Sequence, residues 1–354
     1  MLGIERSAAR YTWTAAVVLL LIWLVYLLRT TLFVFALALL FAYLLSPLVD
    51  LLDRVIPRKG TRTLALALVY IIFIGTVVLI GVQIGSTVVE QAHAFVVNLP
   101  DMMARFEQPS DLAPTALNDF KAQLIAGIRA DWTQRSADIM RALPSAGLKF
   151  LSVVSNLVYV VIVPVLAFFF LKDAHVIRHH TLEMLDAGPL RGMVESVFAD
   201  IHVLLAQYMR ALVLLSLGTF TAYSIFFVIL RVPFGVLLAA AAMMLEFIPM
   251  IGPLLAVAII LVVTLISGAH FWAVVIFIVA YRMFQDYFFS PLLMGQGVQL
   301  HPLLVLLGVF GGAEVAGVAG SFLSVPVLAT ARILWVRTRR SHLSVPAETP
   351  LLTR

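Results

Sequence analysis

About eight stretches of this chain carry almost no charge and run long enough, or nearly so, to cross a bilayer. They fall at about Tyr11–Leu28, Thr31–Leu45, Leu64–Gly85, Leu151–Leu171, Val203–Leu230, Val236–Ile266, Phe271–Phe289 and Leu303–Trp335. A hydrocarbon core about 30 Å thick takes about 20 apolar residues to span as a helix. Backbone amides and carbonyls inside lipid have no water to bind, so a spanning segment must satisfy them within a helix or a closed barrel. Barrel strands read as short segments of alternating hydrophobicity, and these runs are continuous. The expected class is therefore an all-α polytopic membrane protein with about eight transmembrane segments. Composition agrees: charged residues are 12% of the chain, about half the share in soluble domains.

The net charge is +5, and its placement matters more than its sign. Basic residues sit in short loops and at the ends of spans, where they set orientation and argue against a nucleic-acid partner. The loop "DLLDRVIPRKGTR" carries Arg54, Arg58, Lys59 and Arg62, which assign it to the cytoplasm, whereas the preceding turn has only Arg29. The N-terminus is then cytoplasmic too. Lys172 and Arg178 place the end of the fourth span there, and Arg332, Arg337, Arg339 and Arg340 do the same for the C-terminal tail, 336–354. Arg6 and Arg10 ahead of an apolar stretch resemble a signal peptide, but no small-residue cleavage site follows, so residues 1–85 read as three retained spans with a basic loop. With no cysteine in the chain, disulfides and thiolate chemistry are excluded.

Residues 86–150 have a different character. Acids and bases are nearly balanced, and Leu117, Phe120, Leu124, Ile128 and Trp132 recur at helical spacing. This is expected to be a small amphipathic helical insertion outside the cytoplasm, either a cap that serves assembly or a loop whose apolar face packs on the spans. His175, His179 and Glu183 lie on one helix face. That is metal-ligand spacing, but a wet face of an interfacial helix gives the same pattern, and no metal site is assigned.

Residues 151–335 read as the transport core, because two of its apolar segments are interrupted. Val236–Ile266 is 31 residues long with Glu246 as its only charge, and it contains "EFIPMIGP". A straight helix of that length would measure about 46 Å. Pro249 and Pro253 lack a backbone donor and clash with the preceding turn, and Gly252 admits backbone conformations other residues avoid. The segment from Leu303 to Trp335 repeats the pattern with Gly311, Gly312, Gly317, Gly320 and Pro326, and one carboxylate, Glu314. Broken helices at membrane depth are tolerated only where the backbone is buried in protein or lines a watery cavity, and paired interruptions of this kind form binding sites in secondary transporters. Each segment either crosses once or re-enters and returns to its own side. Both arrangements leave the C-terminus cytoplasmic.

Few other ionisable groups lie within the spans, where each is costly unless paired or hydrated. Arg282 and Asp286 stand four apart and are expected to pair with each other. Arg210 is placed to snorkel from the end of its span. Glu246 and Glu314, beside the breaks, are the candidates for the solute or ion pathway with Pro249, Gly252, Pro253, Gly311 and Gly312. Burial favours the neutral form of a carboxylate, which suits proton or cation coupling. No hydrolase, zinc-protease or nucleotide-binding motif occurs, so neither an enzyme nor an ATP-driven pump is expected, and no cofactor is implied.

The segments "FFLKD" (169–173), "QYMRALVL" (207–214), "VPFGVLLA" (232–239), "FIPMIGP" (247–253) and "SPLLMGQGVQLHPLLVLLGVFGGAEVAGVAG" (290–320) together resemble the autoinducer-2 exporter family of permease-like proteins, in order and spacing from about residue 30 to 335. The resemblance implies a bacterial inner-membrane protein of about eight spans, with a soluble insertion after the third and assembly as a homo-oligomer, a pentamer. It implies membrane transport, and the substrate stays open. The chain either exports a small polar solute such as autoinducer-2, or exchanges Na⁺ or Li⁺ for H⁺ on the same carboxylates. A third reading is an oligomeric membrane scaffold that moves nothing.

Overall fold

A computed structural model describes residues 6–55, 62–108, 157–186, 188–294 and 300–342, with scattered positions between 119 and 132. The centre of the basic loop, most of the 86–150 insertion beyond 108, the 295–299 segment and the tail after 342 lie outside the described residues. The helices are α1 (Arg6–Leu27), α2 (Arg29–Val55), α3 (Arg62–Glu107), α4 (Leu157–Glu183), α5 (Pro189–Ile229), α6 (Gly235–Leu245), α7 (Ile251–Ser267), α8 (Phe271–Phe284), α9 (Ser290–Met294) and α10 (Pro302–His342). A π-helical turn, Gln285–Phe289, joins α8 to α9. Among the described residues no strand occurs, and six helices are long and apolar enough to cross a membrane, with α6 and α7 as shorter apolar helices. The protein is an all-α polytopic membrane protein.

Helical hydrogen bonds continue on both sides of Leu28, from Leu28 N to Leu24 O and from Leu32 N to Leu28 O. Every described residue of α1 in its candidate span is exposed, so α1 projects from α2 and does not fold back on it. Leu45 and Val49 of α2, Leu66 and Val69 of α3, and Ala167 and Leu171 of α4 bury one another in a three-helix core. At 46 residues, α3 is about 69 Å long, far beyond the hydrocarbon. Residues 85 and 86, where the sequence suggests a change of module, both lie inside it. Its distal end carries Leu99 and Met103, which pack with Ile125, Ile128 and Trp132 of the insertion and with Ile266 of α7. The apolar face expected there does pack on the spans. Leu117, Phe120 and Leu124 of the same face lie outside the described residues.

The first broken segment is a re-entrant hairpin. At 11 residues, α6 covers only about 16 Å, half a bilayer. Leu238, Ala239 and Ala242 on α6 share a buried cluster with Ala256, Ile260 and Val263 on α7. The two helices therefore pack against each other across the turn, as in a chain that doubles back. The tip spans Glu246 to Met250 and satisfies its own amides: Glu246 N, Ile248 N and Gly252 N donate to Ala242 O, Leu245 O and Ile248 O. Met250 adopts φ 64, ψ −50, a strained conformation for a residue with a side chain. A Cβ on Gly252 would strike the Leu245 carbonyl. Pro253 falls in the first turn of α7, where a missing N–H breaks no helical bond, so the reversal itself rests on Phe247–Met250.

The second broken segment also doubles back. Although α10 runs to 41 residues, Ala316 (φ −144, ψ 24) and Gly317 (φ 61, ψ −147) are not helical. Across this reversal Ser321 Oγ donates to Val309 O at 3.1 Å. Gly312 and Gly320 approach so closely that a Cβ on either would meet the other's backbone carbonyl. Pro326 sits within the returning arm.

The two hairpins enter from opposite ends of α5. The first opens toward the distal part of α3, where Leu237 N donates to Gln91 Oε1 at 3.0 Å and Phe234 stacks edge-on to Phe95. The second opens toward the start of α5, where Arg337 pairs with Asp200. Near the tips, Phe247 meets Phe322 with ring centroids 5.9 Å apart.

Candidate functional site

Glu246 closes α6 and turns inward. Its carboxylate is 6% exposed and accepts from Arg282 Nη2 of α8 at 2.8 Å. Thr219 Oγ1 of α5 lies 3.3 Å from the same oxygen and 3.1 Å from the Tyr281 hydroxyl. Arg282 Nη1 donates to Gln285 Oε1 at 3.1 Å. One connected polar network thus ties the first hairpin tip to α5 and α8 at the depth where α6 ends.

Helical periodicity explains who takes part. Ser216, Thr219 and Tyr223 lie on one buried face of α5, and Val274, Ile278, Tyr281 and Gln285 on one buried face of α8 and the π turn. Tyr223 and Tyr281 meet with centroids 5.1 Å apart, and Phe226 stacks on Phe277 at 3.8 Å, forming an aromatic wall beside the ions. Among the described residues, the Tyr223 hydroxyl and Arg282 Nε are buried without a hydrogen-bond partner. The π turn begins at Gln285, and such insertions concentrate at functional sites.

The expected Arg282–Asp286 pair does not form. Arg282 reaches inward to Glu246, whereas Asp286 is exposed, because the wider π turn that starts at Gln285 carries the next residues away from Arg282's face. Glu246, Pro249, Gly252 and Pro253 gather at one tip. Glu314 is exposed on the outgoing arm of the second hairpin, two residues before its reversal, and takes no part in the network. Gly312 lies in the seam between that hairpin's arms, and Gly311 faces open space. Arg210 is exposed on α5. On α4, His179 pairs with Glu183 at 3.0 Å on the exposed face.

The sequence reading missed Thr219, Tyr223, Tyr281 and Gln285. Their signal was a stripe of hydroxyl and amide side chains within apolar helices. Arg337, by its place in the basic tail an orientation charge, is instead buried against Asp200.

A family model of the AI-2E family transporters matches residues 15–340. Among curated proteins, YueF of Bacillus subtilis, provisionally assigned as a transport protein, is 28% identical over 84% of this chain and 81% of its own length. A provisionally assigned transport protein of Mycobacterium tuberculosis is 28% identical over 92% and 88%. PerM of Escherichia coli, provisionally a permease, is 24% identical over 75% and 76%.

Proposed function

The chain belongs to the AI-2E transporter family, and from that membership we propose that it is a secondary transporter exporting a small polar solute, with autoinducer-2 as the candidate. The observation that carries the reading is the buried Glu246–Arg282 pair at the tip of a re-entrant hairpin. A bilayer interior tolerates such charges where they bind or gate something polar. The two hairpins meet near their tips, where Phe247 packs on Phe322, and the network around Glu246 stands at the first tip. Thr219, Tyr281 and Gln285 offer oxygens to a hydroxyl-bearing solute, and Arg282 offers donors.

Exchange of Na⁺ or Li⁺ for H⁺ requires a cation to reach a carboxylate already neutralised by Arg282 at 2.8 Å. The pair therefore favours the solute reading. The setting is a bacterial inner membrane with both termini cytoplasmic, and the working unit is a homo-oligomer, a pentamer as the family resemblance implies.

The test is flux in proteoliposomes. Autoinducer-2 should move with the wild type and not with Glu246→Gln. A pH-dye response to Na⁺ or Li⁺ that Glu246→Gln abolishes would replace solute export with antiport. A wild type that moves neither would leave only a scaffold.

A further inference from the structure

We infer that Asp200 and Arg337 form a gate pair that closes the second hairpin against α5, on the side opposite the opening of the first. The inference rests on the transport reading and extends it to residues outside the Glu246 network.

Arg337 donates from Nε at 2.8 Å and from Nη2 at 2.7 Å to Asp200 Oδ2. The two residues are 4% and 5% exposed. Their surroundings are apolar: Val197, Leu204 and Leu205 of α5 pack with Leu323, Ala329 and Ile333 of the returning arm. A buried ion pair in such a setting adds little stability, since well-packed apolar side chains of similar volume do as well or better. What apolar residues do not provide is tolerance of water. A wholly apolar seam is stable only when shut. A charged pair is satisfied by its partner when the seam is dry and by hydration when it is wet, so it suits an interface that opens and closes.

The rest of the hairpin indicates which seam moves. Its two arms are fastened to each other through the Gly312–Gly320 contact, Gly308 against Ser324 and Leu328, and the Ser321 bond to Val309. They therefore travel as one body. The contact with α5 is made by α5 side chains, with Tyr208 donating to Phe322 O at 3.5 Å and Asp200 pairing with Arg337. Thr219 lies about 28 Å along α5 from Asp200. One ion pair thus holds the tip of the first hairpin, and the other holds the base of the second.

The chain has no cysteine, which permits a direct test without any transported solute. A cysteine at Ala329, in the seam, is labelled with a membrane-impermeant maleimide in membranes. Asp200→Asn should raise its labelling rate at least tenfold, and the exchange Asp200→Arg with Arg337→Asp should restore protection. A cysteine at Ala256, in the core of the first hairpin, should label equally slowly in all backgrounds. An unchanged rate at Ala329 overturns the gate. So does an equal rise at Ala256, which would mean that the pair holds the whole fold together. Because labelling needs no solute, a failure here is distinct from failure of transport in the flux assay.

Discussion

Replacing Glu246 by Gln tests whether the network at the hairpin tip is one electrostatic unit. The amide oxygen of Gln can still accept from Arg282 or Thr219, so geometry is largely kept and charge is removed. Losing one charge-assisted bond in favour of a neutral one costs about 1 kcal/mol. The larger effect is a guanidinium left in a dry interior without its counter-charge, about 3–5 kcal/mol. Arg282's side chain retains 19% exposure, which places the expected loss near the low end, about 3 kcal/mol. Arg282→Gln strands the more deeply buried Glu246 and should cost at least as much. The double variant removes both charges together, and uncharged replacements of a buried pair are close to neutral. It should therefore be more stable than either single variant, with a coupling of about 6 kcal/mol, close to the sum of the two single losses. Denaturant unfolding of all four proteins in lipid nanodiscs measures the cycle. Single effects that sum to the double within about 0.5 kcal/mol would refute the pairing.

Three further outcomes follow from the same geometry. Gly252→Ala drives a methyl into the Leu245 carbonyl and should destabilise by about 3 kcal/mol or more, seen as loss of a monodisperse peak on heated size-exclusion chromatography. Gly312→Ala should do the same through the Gly320 backbone, whereas Gly311→Ala meets nothing within 4 Å and should leave the melting temperature unchanged or slightly raised. Thr219→Val removes a fully buried hydroxyl that bridges Glu246 and Tyr281; it should cost about 1 kcal/mol in unfolding yet abolish most solute flux in proteoliposomes.

The parts of this fold visible in the sequence are those that rest on local physics. Proline and glycine beside Glu246 announce a helix that cannot continue, and apolar runs bounded by basic loops announce spans. Whether a broken segment crosses or returns depends on packing between its halves. Only the packing of α6 on α7, and of Gly312 against Gly320, decides it. The same limit hid the site's membership. Spacing pairs Arg282 with Asp286, because i and i+4 share a face in an α-helix. A π turn and a partner 36 positions away in sequence override that, and neither has a local signature. Thr219 and Tyr223 read as ordinary interior residues until α5 is set against the hairpin tip. Arg337 looks like one more basic residue in a basic tail until Asp200 is placed beside it.

The central claim is that both interrupted segments re-enter, from opposite sides. Single cysteines at Arg231 and Gly268 flank the first hairpin, and cysteines at His301 and Arg339 flank the second. Labelled with an impermeant maleimide in right-side-out and inverted vesicles, Arg231→Cys and Gly268→Cys should react from one face, and His301→Cys and Arg339→Cys from the other. Arg231→Cys and Gly268→Cys reacting from opposite faces would make the first segment a single crossing and contradict the account.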